Sequence, residues 1–338
     1  MPYSKDAYEI GPLDASPSLL FNNLASSGEF LAYGRHKEVA CVETATINNK
    51  ETPTVSKVSS SASEEVHSVA YFNINGEVIL GIASGMGLQV WNESGNRLIY
   101  HWILPSKNSP PPDAIYDKFA RGMCITRGGD DLLLLCVGTS CGLIHVFNIE
   151  TGPTFEHFLE LEGHETAISS LGSTFKDSRQ HTGADYLFSG EESGKIIVWE
   201  CNPCGRFDIK HTISSNTPCV SMGGRGSNLV LGRLNGMIEI YSLVNGEKLA
   251  EICSHGRFLT ALDMHPHKDL VATVSQDCTC CVWSIPFDSL EEIAPVFSTC
   301  WPHNMMTGVA FCGKDFDDVA VVAYDTEEIV IWKHHEVF

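Results

Sequence analysis

Short apolar runs separated by polar turns dominate this chain. Residues 161–200 contain three such runs, at 167–171, 186–190 and 196–200, and each is bounded by glycine, serine or charged residues. Each run is about as long as one β-strand, and the polar turn 191–194 is short enough to join two of them. The stretch therefore predicts short antiparallel strands joined by turns.

The same order of runs and turns recurs along the whole chain. The strand that closes each unit ends, in order, at Val42, Trp91, Phe147, Trp199, Tyr241, Trp283 and Trp332. Successive ends lie about 42 to 56 residues apart, close to the ~40–45 residues of one repeat of this type with loop insertions. The pattern predicts seven repeated units in a single domain that spans residues 1–338.

The unit at 161–200 resembles a WD40 repeat. It has Gly163-His164 near its start and Trp199-Glu200 where that family has Trp-Asp. The resemblance implies an all-β fold, a seven-bladed WD40 β-propeller in which each blade has four strands. The tail after Trp332 is too short for a fourth strand, so we expect residues 5–10 to form the outer strand of blade seven and to close the ring.

Blade one is the most degraded repeat. Its first three strands are predicted at 19–24, 30–34 and 39–42, and part of the following segment, 52–58, can form its outer strand. These runs are apolar and bounded by polar residues, but none ends in tryptophan. Blade one is therefore placed by its position in the series and not by a motif.

Two segments, 48–65 and 105–118, are predicted as surface loops. The first is rich in serine and threonine and lacks aromatic residues, and the second contains the run Pro110–Pro112, which disfavours helix. A regulatory phosphorylation segment in the first and a proline-rich ligand in the second are the functional alternatives. Both segments are expected to be solvated connections between strands.

Composition narrows the class of partner. The chain has 42 acidic and 22 basic residues and a formal net charge of −20, so nucleic acid and anionic membranes would be repelled. No stretch approaches the ~20 consecutive apolar residues of a membrane helix, and residues 1–14 lack a secretory signal pattern. We expect a cytoplasmic protein without an integral membrane segment, with its thirteen cysteines reduced.

Neither metal binding nor catalysis is expected. One cysteine pair has zinc-ligand spacing and a second cluster lies about two blades away, so the two would not meet; they are Cys201 with Cys204, and Cys278, Cys280 and Cys281. The glycine-rich run 223–226 lies between strands and is expected to be a hairpin turn. The chain has no P-loop. No catalytic, cofactor-binding or metal-binding residue is assigned.

Further details resemble one WD40 subfamily. The short sequences at 21–24, 87–90, 119–122 and 136–139, together with the stretch from Leu262 to Trp283, look like the WD-repeat-containing protein 54 family. The resemblance covers essentially the whole chain. It implies a non-enzymatic scaffold for other proteins.

WD40 blades commonly bury a hydrogen-bonded set made of a histidine, a turn aspartate, a strand serine or threonine, and the tryptophan. A buried indole N–H and imidazole need such partners, because burying them unpaired costs free energy. The resemblance therefore implies a structural role for these residues. The expected members are His255, Ser275, Asp277 and Trp283 in blade six, and His164, Ser189 and Trp199 in blade four, where Ser193 occupies the aspartate position.

One face of a propeller carries the loops before the inner strands and the turns between second and third strands. Arginine and aromatic residues are enriched in protein-binding hot spots. On this face the candidates are Arg35, Arg121, Arg233, Arg257, Phe258, Trp301 and Tyr324. They suggest an acidic or phosphorylated peptide as partner; the alternative is that each arginine only pairs with a neighbouring carboxylate.

Taken together, the sequence predicts a non-catalytic protein–protein interaction scaffold that binds partner proteins or peptides on its loop face. Two other functions stay open. The first is a fixed subunit of a trafficking or ciliary assembly that makes contact through the sides of its blades, which a large apolar patch on one blade would favour. The second is a propeller enzyme that uses acids and histidines at the mouth of the channel.

Overall fold

The computed structural model describes residues 3–9, 17–44, 55–59, 64–105, 117–129, 132–150, 154–174 and 185–334. The described residues form seven four-stranded antiparallel sheets, which are the seven blades of a β-propeller. The predicted all-β, seven-bladed fold is confirmed.

Strands are numbered in chain order. Blade one contains β2 (Ala25–Ser26), β3 (Phe30–Arg35), β4 (Glu38–Glu43) and β5 (Val55–Ser59). Blade two contains β6 (Val66–Ile74), β7 (Glu77–Ser84), β8 (Gly87–Asn92) and β9 (Leu98–Ile103). Blade three contains β10 (Ala120–Gly128), β11 (Leu132–Thr139), β12 (Ile144–Glu150) and β13 (Thr154–Leu161). Blade four contains β14 (Ile168–Ser173), β15 (Asp185–Glu191), β16 (Ile196–Cys201) and β17 (Phe207–Ile213).

The remaining blades follow the same order from the inner to the outer strand. Blade five contains β18 (Cys219–Arg225), β19 (Asn228–Arg233), β20 (Met237–Ser242) and β21 (Lys248–Cys253). Blade six contains β22 (Leu259–Met264), β23 (Leu270–Ser275), β24 (Thr279–Ser284) and β25 (Ala294–Cys300). Blade seven contains β26 (Met306–Cys312), β27 (Asp318–Ala323) and β28 (Glu328–His334), and its fourth strand is β1 (Tyr3–Glu9).

The N-terminal strand lies beside the last strand of the chain. β1 pairs antiparallel with β28, with Tyr3 opposite His334 and Glu9 opposite Glu328. The strand covers residues 3–9, where the sequence predicts 5–10. Blade seven therefore takes strands from both ends of the sequence.

The prediction for the inner strand of blade one is wrong. Residues 19–24 do not form it; the inner strand is the two-residue β2. Residues 17–23, called here the crossing segment, instead bond to three blades. The N–H of Ser18 donates to Gly34 O in blade one at 3.1 Å, that of Asn22 to Thr260 O in blade six at 2.8 Å, and that of Asn23 to Thr307 O in blade seven at 2.9 Å. Because these hydrogen bonds satisfy its backbone N–H groups, the segment can cross from blade to blade without pairing along a single strand.

Two other local predictions need correction. The segment 48–65 is not wholly a loop, because β5 lies within it and Val58 is buried opposite Val39. Gly223 and Gly224 lie in β18 and not in a hairpin turn. A Cβ on Gly224 would lie 2.5 Å from Thr174, so close packing against blade four explains that glycine. The rest of the two predicted loops, 48–54, 60–63 and 106–116, lies outside the described residues.

The core lies between adjacent blades. The apolar cluster between blades six and seven, for example, joins Val282 and Phe297 to Phe311, Val321 and Trp332. Comparable clusters join blades one and seven, two and three, three and four, and four and five. Each of these blades is therefore held by its neighbours.

Candidate protein-interaction face

The loop face is the side of the ring that carries the loops before the inner strands and the turns between second and third strands. Backbone hydrogen bonds tie each turn to the neighbouring loop. The N–H of Glu192 donates to Ala167 O at 2.9 Å in blade four, that of Gln276 to Phe258 O at 3.0 Å in blade six, and that of Tyr324 to Met305 O at 2.8 Å in blade seven. These bonds fix the positions from which loop side chains project.

Blade four buries a hydrogen-bonded set beneath this face. Ser189 Oγ accepts from the indole N–H of Trp199 at 2.7 Å and lies 2.6 Å from His164 Nε2. The other ring nitrogen of His164 lies 3.2 Å from Glu191 Oε2, and the Ser193 hydroxyl donates to Glu191. Glu191, which the sequence did not single out, therefore supplies the carboxylate in place of the missing aspartate. Burial lowers the pKa of His164 despite this carboxylate, so the ring is neutral near pH 7.

Blade six builds a related set from partly different residues. His255 Nε2 lies 2.9 Å from Thr273 Oγ1, and His255 Nδ1 lies 2.9 Å from Thr279 Oγ1 and 3.3 Å from Asp277 Oδ2. The expected member Ser275 does not contact the histidine; its Oγ accepts from the N–H of Asp277 at 3.1 Å.

The expected tryptophan is also outside the blade-six set. Within the described part of the chain, Trp283 Nε1 has no hydrogen-bond partner. The strand register explains why Thr273, and not the expected Ser275, meets the histidine. Thr273 lies two residues before Ser275 and faces Cys281, just as Ser189 faces Ile197 in blade four.

Thr273→Val is expected to destabilise the protein more than Ser275→Ala. The first change removes the hydroxyl that meets the fully buried His255 ring and costs about 1–3 kcal/mol. The second removes the acceptor of a single turn N–H beside the partly exposed residues 276–278, and costs less than about 1 kcal/mol. Urea unfolding of both variants measures the difference, and equal or reversed losses would contradict this assignment.

The structure pairs three of the four candidate arginines. Arg35 lies 3.9 Å from Glu38, and Arg121 Nη2 lies 2.7 Å from Glu192 Oε1. Arg233 is only 1% exposed and donates to Glu239 Oε2 at 2.7 Å. Arg233 is therefore not a surface residue, and its selection as a binding residue is corrected. The same holds for Trp301, which is 6% exposed and packs in the core between blades six and seven.

Three candidates do project from the face. Arg257, Phe258 and Tyr324 are exposed, and Arg257 forms no salt bridge within the described part of the chain. Two further residues, Leu19 and Phe21, are about half exposed on the crossing segment. The sequence placed these two in a strand, so it gave no signal that they reach the surface.

The crossing segment brings these residues to one region. It bonds to blade six at Thr260, two residues after Phe258, and Pro17 O accepts from the N–H of Asp325, next to Tyr324. We call Leu19, Phe21, Phe258 and Tyr324 the apolar patch. Scattered single apolar residues are ordinary on a protein surface, whereas a group of large ones in one region marks a candidate contact site.

A cavity of about 450 Å³ opens beside this patch at the mouth of the channel. Its lining is largely apolar and comes from the crossing segment and the inner strands of blades two to five, including Val69, Met123, Leu171 and Val220. Arg121 and Glu192 line it as an ion pair. Such a cavity can accept an apolar side chain of a partner.

Comparison with known proteins identifies the family. The WDR54 family pattern matches residues 37–334, which is most of the chain. The chain belongs to the WDR54 family. WD-repeat proteins typically act in protein–protein interaction and are generally non-enzymatic.

The WDR54 relatives are distant in sequence. Human WD repeat-containing protein 54 is 28% identical over 257 residues, which are 75% of this chain and 73% of the human protein. The rat protein named WD repeat domain 54 is 26% identical over 258 residues, 75% of this chain and 74% of that protein. Among solved structures, a chain of the crystal structure of the mitotic checkpoint complex aligns with a TM-score of 0.71 and 15% identity. That alignment covers 99% of this chain and 92% of the other, and it supports the fold alone.

All thirteen cysteines of this WDR54-family chain are free thiols. Burial raises the pKa of the Cys41 thiol to about 11 and that of Cys219 to about 12, so these thiols stay protonated. Cys201 and Cys204 lie at the end of blade four's third strand and the turn that follows it, apart from the blade-six cluster. No helix in the described part of the chain is long and apolar enough to cross a membrane.

Proposed function

We propose that this protein is a non-catalytic scaffold that binds partner proteins or peptides on its loop face, over the apolar patch and Arg257. The observation that carries the proposal is the crossing segment, which brings Leu19 and Phe21 to the same region as Phe258 and Tyr324. The blades hold this region rigidly, so binding would cost little ordering entropy on the scaffold's side.

The charge of the preferred partner follows from Arg257. This arginine has no carboxylate partner among the described residues, whereas Arg35 and Arg121 each have one. An acidic or phosphorylated group beside apolar anchors would complement both features. The partner we propose is therefore a peptide segment that carries an acidic or phosphorylated residue next to apolar side chains.

Contact through the blade sides is less well supported. Among the outer-strand side chains that the structure describes, the exposed large apolar residues are spread one to a blade over blades two to six, at Leu98, Phe158, Ile209, Leu249 and Val296. This distribution does not single out one blade as the contact surface of a fixed trafficking or ciliary assembly. The loop face, by contrast, gathers its exposed apolar residues in one region.

The enzyme alternative also lacks support at the channel mouth. Within the described lining of the cavity, the sole carboxylate is Glu192, which pairs with Arg121 at 2.7 Å, and the sole histidine is His67, which packs against Phe119 and makes no contact with Glu192. General acid–base hydrolysis commonly needs two carboxylates, or a carboxylate with a histidine, in reach of the same substrate atom. We propose a cytoplasmic location as well, because thirteen free thiols suit a reducing compartment.

The test is affinity capture from cell extract with the wild-type protein and the double variant Phe21→Ser, Arg257→Glu. Loss of a hot-spot residue costs about 2 kcal/mol or more, which is about 30-fold in affinity. Specific partners should therefore disappear with the variant. Both side chains are exposed, so thermal unfolding of the variant should match that of the wild type.

Arg97→Glu is the matched control. Arg97 is largely exposed and follows the turn between β8 and β9, on the opposite face of the ring, so it has the same charge change without the loop-face position. Partners that survive Arg97→Glu and are lost with the double variant identify the loop face as the site. Partners retained by all three proteins would overturn the proposal and direct attention to the blade sides.

A further inference from the structure

Blade three carries a compact group of three metal-ligating side chains, far from the loop-face patch. Among the described residues, the group of histidine, cysteine or carboxylate side chains that can meet at one ion is His145, His157 and Glu160. His145 lies on β12, and the other two lie on the outer strand β13. The cysteine pair and the cysteine cluster named in the sequence analysis do not belong to this group.

The ligand atoms form a nearly regular triangle. His145 Nδ1 lies 3.1 Å from His157 Nε2 and 3.4 Å from Glu160 Oε1, and His157 Nε2 lies 3.7 Å from the same oxygen. A tetrahedral zinc ion with bonds of about 2.0–2.1 Å separates its ligand atoms by about 3.3 Å. One ion can therefore reach all three atoms with shifts of only a few tenths of an ångström.

A β-bulge puts the three side chains on one side of the sheet. His145 faces Glu160 across the strands and Phe147 faces His157, with the register shift between Val146 and Phe147. Residues 157 and 160 are an odd number of positions apart and would point to opposite faces of a regular strand. The extra residue of the bulge brings both to the face of His145.

Blade five shows what these positions can hold. Its register places Glu239, Lys248 and Glu251 where blade three has His145, His157 and Glu160. In blade five, Lys248 Nζ lies 2.7 Å from Glu239 Oε1 and 2.6 Å from Glu251 Oε2, so a cationic group sits between the other two side chains. Blade three has the same convergence of positions, but its side chains are metal ligands and none is a permanent cation.

The surroundings also suit a metal ion. His145 is 2% exposed, and its second ring nitrogen lies 3.8 Å from Asp117 Oδ2, where a carboxylate can orient a metal-bound imidazole. The ring of Trp102 from blade two lies 4.6 Å from that of His145 and stacks parallel to His157. His157 and Glu160 are partly exposed, so an ion can enter from solvent and keep one open coordination position.

We propose that His145, His157 and Glu160 bind one divalent transition-metal ion, with zinc as the best match. A proton shared between the two imidazoles would satisfy the His145–His157 contact alone, but it would leave the Glu160 oxygen facing two nitrogen atoms. A metal ion satisfies the lone pairs of all three. Imidazole and carboxylate ligands suit zinc, whereas magnesium prefers an all-oxygen set.

The test is equilibrium dialysis of the reduced, chelator-stripped full-length protein against zinc chloride, with magnesium chloride as the non-matching ion. We expect the wild type to bind one zinc ion per chain. His157→Ala and Glu160→Gln should each weaken this binding at least tenfold. Glu156→Gln, an exposed carboxylate on the same strand, is the matched control and should keep full binding. The exposed thiols of Cys204, Cys253 and Cys300 can also take up zinc, so the readout is the difference between variants.

A second variant guards against misfolding. His157→Lys copies the blade-five arrangement, so it should fold normally, form an ion pair with Glu160 and lose the zinc site. Zinc should raise the midpoint of thermal unfolding for the wild type and for Glu156→Gln, and leave that of His157→Lys unchanged. Equal zinc uptake by the wild type and all three site variants, or no uptake by the wild type, would overturn the proposal.

Discussion

Arg233→Ala is expected to lower the free energy of unfolding by about 3–5 kcal/mol, because it breaks a buried ion pair on one side only. Arg233 Nε donates to Glu239 Oε2 at 2.7 Å, and its Nη1 donates to the carbonyl oxygens of Gly194 and Thr217 at 3.2 and 3.1 Å. The guanidinium therefore joins blade five to the turn between the second and third strands of blade four and to the loop that leads from blade four into blade five. Alanine would leave a largely buried carboxylate and two carbonyl groups without this partner.

The pH dependence of stability should also change in the Arg233→Ala variant. Burial acts to raise the pKa of Glu239, but hydrogen bonds from Lys248 and Arg233 outweigh it and hold that pKa below its usual range. The stability that this shift contributes is present above the unfolded-state pKa of about 4.3 and is lost as pH falls through the lower folded-state value. Without Arg233, this part of the acid-induced loss should shrink.

Urea unfolding between pH 3 and pH 7 measures both effects. Arg97→Ala is the control, since Arg97 is largely exposed and lies 4.0 Å from Glu77, a pair that contributes less than about 1 kcal/mol. A loss below about 1 kcal/mol for Arg233→Ala would show that the pair is not a structural element.

Deletion of residues 1–10 is expected to destabilise the protein by about 5 kcal/mol, enough to unfold much of it. β1 and β28 share seven register pairs, and each backbone hydrogen bond contributes about 0.5–1.5 kcal/mol net. Domains of this kind are stable by only about 5–15 kcal/mol. The deletion also exposes the whole edge of β28, which favours aggregation.

The soluble fraction on expression and the midpoint of thermal unfolding measure this effect. A synthetic peptide of residues 1–10 added in trans should restore part of the lost stability, and a scrambled peptide should not. If the truncated protein unfolds at the same temperature as the full chain, ring closure by the N-terminal strand contributes little. The pairing of β1 with β28 would then be dispensable for the fold.

The sequence predicted the repeated strands well where short apolar runs are separated by polar turns. The runs at 30–34, 186–190 and 196–200 match β3, β15 and β16 to within one residue at either end. These strands are packed on both faces by adjacent blades, so their apolar content is high and their ends are set by polar turns. Apolar runs bounded by turns and repeated every 42 to 56 residues suffice to place them.

Prediction from the sequence failed where the hydrogen-bond partners of a segment come from other blades. The apolar residues 19–24 resemble a strand, but hydrogen bonds to Gly34, Thr260 and Thr307 hold the segment across the mouth of the channel. No local pattern encodes three partners so far apart. This is also why Leu19 and Phe21 were missed as candidate binding residues.

Two errors had signals in the sequence. Thr273 could have been found by counting ten residues back from Trp283, the same interval that separates Ser189 from Trp199. The acid Glu239 lies inside an apolar third strand, a position that calls for a buried basic partner, and Arg233 is that partner. The arginine candidates were chosen by loop position alone, which does not separate exposed from buried side chains.

The pairing of Tyr3–Glu9 with Glu328–His334 sets the order of events during synthesis. β1 is synthesised roughly 320 residues before its partner β28, so it waits while the other described blades are made. At roughly 5–20 residues per second the wait lasts on the order of tens of seconds. Until β28 has been made, β1 lacks the strand that it pairs with in the folded protein, so the ring can close only at the end of this interval.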